Sequence, residues 1–231
     1  MKTPLTALML LTATAADAQM HNLQDARSSN INLSILDTHS VWHSADDLRD
    51  YDNLGQGLHE SLNLDITIPG SGTVSGSLIF DAYASALEIS STTYASAAAD
   101  VGDALPFSNA AFSNRIRFEI TETTQFALDA IFDVTQHQSG GAFAIRQFGS
   151  LDWVDIYAHV YTGQSGSFSD SITLNPGMYE FNAATWASAT DLLSYNSELA
   201  TSYQEVSFRV VPAPPALFAL IPLIIPRRRR T

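Results

Sequence analysis

The chain contains no cysteine, and Lys2 is its only lysine. Without thiols there are no disulfides, no thiolate catalysis and no Cys-ligated zinc or iron–sulfur centre. Without lysine in the body, Schiff-base chemistry is excluded as well. Cations of any kind are scarce: 11 Lys+Arg stand against 24 Asp+Glu, a formal charge of −13. Lys2 and the block Arg227–Arg230 supply five of those cations and Asp17 one of the acids, so residues 19–210 keep six arginines against 23 acids, a net of −17. A surface that acidic repels phosphate backbones, which argues against nucleic-acid binding. Charged residues make up only 15% of the chain and hydrophobic residues 45%, so it is not a disordered acidic tail. No internal repeat and no linker divides the body.

What is present begins with two terminal addresses. Residues 1–18 read as a secretory signal peptide and predict a short signal helix. Lys2 supplies the positive start, Leu5 to Leu11 the apolar run, and Ala16-Asp17-Ala18 a small-x-small site for signal peptidase that leaves Gln19 first. At the other end, residues 211–226 carry no charge and then meet Arg227, Arg228, Arg229 and Arg230. As a helix, sixteen residues reach about 24 Å, slightly short of a roughly 30 Å hydrocarbon core, with the arginines kept on the cytoplasmic side. Pro222 and Pro226 suit a transmembrane segment that is recognised and then removed better than a lasting span.

The signal peptide, the motif Val211-Pro212-Ala213-Pro214, the apolar stretch and the arginine cluster together resemble the PEP-CTERM class of sorting signals. The glutamate of the Pro-Glu-Pro form is absent, so the motif is of the Val-Pro-x-Pro kind. The resemblance covers about twenty residues. It implies an exosortase-like membrane protease as partner, transient membrane anchoring, and delivery to the cell surface or a biofilm matrix. The chain therefore divides into a signal peptide (1–18), an extracellular body (19–210) and a C-terminal sorting signal (211–231).

The body alternates with period 2. Ile116, Phe118 and Ile120 share one side of residues 115–121, and Phe126, Leu128, Ala130 and Phe132 one side of 125–133; with Glu122-Thr123-Thr124 between them they predict a hairpin. Leu62–Ile68 and Val74–Phe80 flank Pro69-Gly70-Ser71-Gly72 and predict another. Further strands are expected at Asn30–Leu36, Ala142–Phe148, Trp153–Tyr161, Phe168–Leu174, Met178–Ala187 and Gln204–Val211, with a turn at Asn175-Pro176-Gly177. The expectation is an all-β, antiparallel, single-domain β-sandwich or jelly roll. Three stretches read differently: 41–57 as a polar loop, the alanine-rich 81–100 as part helix, and 191–202 as a short helix or loop.

Chemical constellations are thin. His39 and His43, four apart, would grip zinc only on a helix, and with Asp46 and Asp47 read better as a solvated loop. Asp50-Tyr-Asp-Asn-Leu-Gly55 begins like a calcium loop, but Leu54 stands at the third ligand position and Ser61 at the twelfth. No cofactor is expected, and only structural calcium gathered from scattered acidic oxygens stays open. Gly163-Gln-Ser-Gly-Ser167 lacks the second glycine of a nucleophile elbow, and residues 70–76 read as a turn rather than a phosphate cradle.

One strand, Trp153-Val-Asp-Ile-Tyr-Ala-His-Val-Tyr161, offers more. Alternation puts Val154, Ile156, Ala158 and Val160 on an apolar side, and Trp153, Asp155, Tyr157, His159 and Tyr161 on the other. Rings interleaved with hydrogen-bonding groups suit an extracellular polysaccharide. The functional expectation is a structural or interaction protein with no catalytic motif, then a carbohydrate-binding surface module, then a secreted hydrolase.

Overall fold

A computed structural model describes residues 19–51, 57–101, 105–135, 138–190 and 198–212. Both expected terminal helices lie outside the described residues, as do Ala16, Ala18, Ala213, Pro214 and Arg227 to Arg230. The described part is all-β and contains no helix. Thirteen strands form it: β1 (His21–Asp25), β2 (Arg27–Leu36), β3 (Trp42–Tyr51), β4 (Leu58–Ile68), β5 (Gly72–Ala84), β6 (Glu88–Val101), β7 (Leu105–Ile120), β8 (Thr124–Val134), β9 (Gly140–Phe148), β10 (Trp153–Thr162), β11 (Gly166–Leu174), β12 (Gly177–Ala189) and β13 (Glu198–Val210).

Two antiparallel sheets result. Sheet A runs β10-β9-β12-β7-β2-β3, with β1 also on β7; sheet B runs β11-β8-β13-β6-β5-β4. The two orders match, so β7 packs across from β6, β12 from β13, β2 from β5 and β3 from β4. At the other end the His159 ring of β10 meets Phe168 of β11 at 5.3 Å. Within sheets the chain turns directly between β2 and β3, β4 and β5, β5 and β6, and β9 and β10; from β6 to β9 and from β10 to β13 every connection passes to the other sheet. Strands in the middle of the sheets bury every second residue, as in Phe126, Leu128, Ala130 and Phe132 of β8, whereas edge strand β3 buries none.

All the expected strands are present, with four corrections to the rest of the reading. Residues 115–120 of the first run lie in β7 and 125–133 in β8, but the two sit in different sheets and are not a hairpin. Their apolar sides face each other across the core, with Phe118 and Phe126 rings 6.4 Å apart. Local alternation is the same whether two strands pair or stack. The stretch 81–100, expected to be part helix, lies almost wholly in β5 and β6, because Ala82 and Ala84, then Ala95, Ala97 and Ala99, recur at the strand period and point inward. Residues 42–51 of the expected polar loop form edge strand β3; residues 52–56 and 191–197 lie outside the described residues, and 198–202 open β13. The predicted hairpin at 69–72 is real: β4 and β5 pair from Ile68–Gly72 onward. Gly70 (φ 81°) and Gly72 (φ 125°) take backbone angles that side chains with a Cβ resist.

Among the described residues the interior has two large apolar clusters and a small third one of Phe132, Val134 and Tyr161. One large cluster is aromatic, built on Phe118, Phe126, Phe143, Tyr179, Phe181 and Phe208. The other is built largely on alanines, including Ala95, Ala97, Ala99, Ala110, Ala187 and Ala200, with Ile31, Leu33 and the stacked pair Phe80–Phe112 at 4.0 Å. Between them, the central strands turn polar side chains inward: Ser91 and Thr93 on β6, Asn114 on β7, Thr185 on β12, and Ser202 and Gln204 on β13, all buried. Thr185 Oγ1 donates to Gln204 Oε1 at 2.5 Å, Gln204 Nε2 to Ala142 O at 3.3 Å and Ser202 Oγ to Gly140 O at 2.9 Å. The side-chain amide of Asn114 has no partner on either atom.

Candidate binding face on sheet A

The stripe expected at 153–161 is split by a β-bulge. Trp153, Val154 and Asp155 pair with Phe148, Gln147 and Arg146, but Tyr157 pairs with Ile145, so Ile156 is an extra residue. The bulge reverses which residues point inward. Tyr157, His159 and Tyr161 share the side of Ile145 and Phe143, which are buried, whereas Asp155 shares the outer side with Arg146. The five residues therefore do not form one platform. The residues of the expected apolar side are exposed, with Val154 at 58% and Val160 at 66%.

The inward half closes the edge of the sandwich. Tyr161 is buried and stacks on Phe132 at 4.1 Å, and burial pushes its phenol pKa well above the ordinary value. It lies across Gly141, where an added Cβ would collide with the Tyr161 phenol ring. Tyr157 OH donates to Asp170 Oδ2 at 3.1 Å; desolvation first, then that bond, raises its pKa. His159, itself exposed, rests against Phe143 and Phe168, at 5.7 and 5.3 Å, while those two rings stack on each other at 4.8 Å. The described strand of the segment 41–57, β3, does not cover this, since it is at the far edge of sheet A from β10.

The outward half joins residues that sequence reasoning had not assembled. Glu180 of β12 has Arg117 of β7 opposite it on one side and Arg146 of β9 on the other. Arg117 Nε donates to Glu180 Oε2 at 3.0 Å, while Arg146 Nη1 and Arg115 Nε lie 3.6 and 3.7 Å from Oε1. Arg146 Nε donates to Asp155 Oδ1 at 2.7 Å. The Arg117 guanidinium lies 5.3 Å from the Trp153 ring centroid, and Trp153 meets Phe148 edge-on at 5.3 Å. Glu180 is 2% exposed, yet the three arginines are 34–42% exposed, so the carboxylate is sealed beneath cations that still reach solvent. Half of the arginines in residues 19–210 sit here. The spacing of Arg115 and Arg117 on one strand side was legible, but Glu180 and Arg146 come together only through the pairing of β12 with both neighbours.

Beside Arg117, an open depression of about 430 Å³ is lined by Asn22, Leu23, Gln24, Glu119 and Met178. Asn22, held at φ 51°, donates its amide to Glu119 Oε2 at 2.6 Å. The outer side of sheet B is chemically opposite: its depression of about 410 Å³ is lined by Asp129, Ile131, Glu205 and the serines 167, 169 and 207.

The remaining candidates resolve into structural roles. His43 Nε2 is 3.1 Å from Asp37 Oδ2, and the same carboxylate accepts the backbone N–H groups of His39 and Val41 at 2.9 Å. The Val41 bond, then the His43 bond, lowers the Asp37 pKa. His39 and His43 are thus separated by a turn, and Asp46 and Asp47 point to opposite sides of β3. Among the described residues no group of three or more His, Asp or Glu side chains is placed to hold a metal ion. Asp50 ends in β3, and residues 52–56 of the calcium-like motif lie outside the described residues. Ser165 Oγ donates to Asp133 Oδ1 at 2.5 Å and accepts from Val134 N, which ties the β10–β11 turn to β8. Comparison with protein-family models and with curated proteins returns no match to this chain.

Proposed function

We propose that the protein is a secreted surface or matrix component that works by binding other extracellular material, sorted through its C-terminal segment by an exosortase-like protease. The observation that carries this reading is the junction after β13. Val211 N–H still bonds Gln125 O at 2.8 Å, and the sequence then passes at once through Pro212 into the motif and the uncharged run. The last strand hands over to the sorting segment with no linker, which suits a cargo cut free at its edge. Gln19, the residue expected to come first after the signal site, stands just before β1, and Val211 just after β13, which supports this reading.

The order of β6 to β13 supports a jelly roll, extended by β4 and β5 on one sheet and by β2 and β3 on the other. Such a body presents two broad outer sides, which suits a binding role. A carbohydrate-binding surface module is the more specific form of this reading, favoured by Trp153 standing over Arg117. The test is intact-mass measurement on protein recovered from the cell surface. Material that begins at Gln19 and lacks Arg227–Arg230 is expected; retention of both termini on most molecules overturns the reading.

A further inference from the structure

We infer that the outer side of sheet A around Arg117, Arg146 and Trp153 is a binding site for acidic polysaccharide, taking a uronate carboxylate between the two guanidinium groups. This deepens the carbohydrate-binding reading and rests on it. Three arginines meet two carboxylates here, Glu180 and Asp155, so the cluster keeps a surplus cation in a body that otherwise carries a large excess of acid. The next acid along β7, Glu119, is turned toward the Asn22 amide at 2.6 Å.

Glu180 does not exhaust its partners. Of its three arginines only Arg117 hydrogen-bonds it, since Arg115 and Arg146 stand beyond hydrogen-bond distance at 3.7 and 3.6 Å. The Nε of Arg115 is a buried donor with no acceptor. Buried beneath the cluster, Glu180 fixes the guanidinium groups in place, so a ligand meets preorganised forks rather than mobile chains. Planar forks match a planar carboxylate, and an indole suits the C–H face of a sugar ring. The amide side chains of Asn22 and Gln24, in the depression beside Arg117, supply donors and acceptors for hydroxyl groups further along an extended chain.

The charge balance sharpens the test, because the protein as a whole repels any polyanion. At about 0.1 M salt the repulsion from distant carboxylates is damped over roughly 10 Å, while contact pairs persist. The experiment is native gel electrophoresis of the full chain at that ionic strength, with gels containing polygalacturonate, dextran, dextran sulfate or polyglutamate. Retardation in polygalacturonate and free migration in the other three is expected. Arg117→Lys with Arg146→Lys keeps the charge beneath which Glu180 is buried but removes the forks, and should weaken retardation about tenfold. Trp153→Ala should weaken it with far-UV circular dichroism unchanged. Arg209→Lys, on the other sheet, should bind like the wild type.

Absence of retardation in polygalacturonate overturns the inference, as does equal or stronger retardation by polyglutamate or dextran sulfate. Retention of full binding in the double lysine variant overturns it as well. Failure in any of these ways leaves the intact-mass result untouched, so the surface-delivery reading stands or falls separately.

Discussion

The two halves of the interior solve one packing problem with opposite materials. Around β8 and the facing ends of β7, β12 and β13, large rings fill the gap: Phe126 stacks on Phe208 at 4.4 Å, and Phe118 and Phe181 each lie 5.9 Å from Phe208. Toward β5 and β6 the same gap is lined by small side chains. Gly76, Ala97 and Ala200 form a row across three strands of sheet B. A Cβ at Gly76 would come within 2.7 Å of Ile31 Cγ2 from the opposite sheet. One half is held by the area of a few rings, the other by close approach of backbones. The first is vulnerable to loss of volume, the second to gain of it.

Deleting volume from the aromatic half should have the largest effect. Phe208→Ala removes the ring that touches three others and should lower stability by about 3–5 kcal/mol in urea denaturation. A loss below about 1 kcal/mol would mean that the rings repack freely and that the halves differ in composition only. The complementary change, Ala97→Leu, should destabilise by about 1–3 kcal/mol although it adds apolar area. If Ala97→Leu stabilises the protein, the small-residue half is under-filled and the comparison fails.

A third substitution works at the outer edge of the aromatic half. Gly141→Ala should cost about 1–3 kcal/mol by driving the Tyr161 ring off Phe132. Tyr161→Ala should recover part of that loss in the double variant, since the two residues are directly paired. Additive losses would show that Gly141 is needed for some other reason.

The smallest effect concerns acid. Hydrogen bonds from Ser169 and Arg209 hold the Asp129 carboxyl below its ordinary value, and the bond from Arg49 does the same for Asp47. Such groups stabilise the fold above the ordinary carboxylate range and lose that contribution as pH falls through their lowered values. Asp129 ties β8 to β11 and β13 beside the aromatic half, whereas Asp47 lies on β3 at the alanine end. Melting temperatures between pH 5 and pH 2 should fall less steeply in Asp129→Asn. An unchanged slope would assign the acid sensitivity to other carboxylates.

The contrast between the halves also explains what the sequence could reveal. The aromatic half was legible because Ile116, Phe118 and Ile120 stand out from Arg115, Arg117 and Glu119. In the alanine half, Ala95, Ala97 and Ala99 alternate with Ser96, Ala98 and Asp100, and alanine beside alanine reads as helix. The bulge at Ile156 left no trace in a run of alternating residues, and so the expected stripe was assigned to one side when the fold divides it. Glu180 was equally hidden. Nothing near it in sequence is basic, and its three arginines arrive from β7 and β9. Alternation reports inside and outside; it does not report neighbours.

That silence returns in the polar layer between the halves. Shifting a strand by one residue would turn its whole apolar side outward, but a shift of two preserves every inward position. In β6, which reads Ser-Ser-Thr-Thr-Tyr-Ala-Ser-Ala-Ala-Ala from Ser90 to Ala99, a two-residue slide would merely exchange Ala95 with Ala97 and Ala97 with Ala99 on its buried side. On β13 the same slide would carry Gln204 away from both Thr185 and Ala142 O, and Ser202 away from Gly140 O. Several hydrogen-bonding groups would then be buried without partners, at about 1–3 kcal/mol each. The layer thus serves as a detent. It lets a sheet built from nearly interchangeable rungs click into one alignment, at the level where oily packing alone would let it slide.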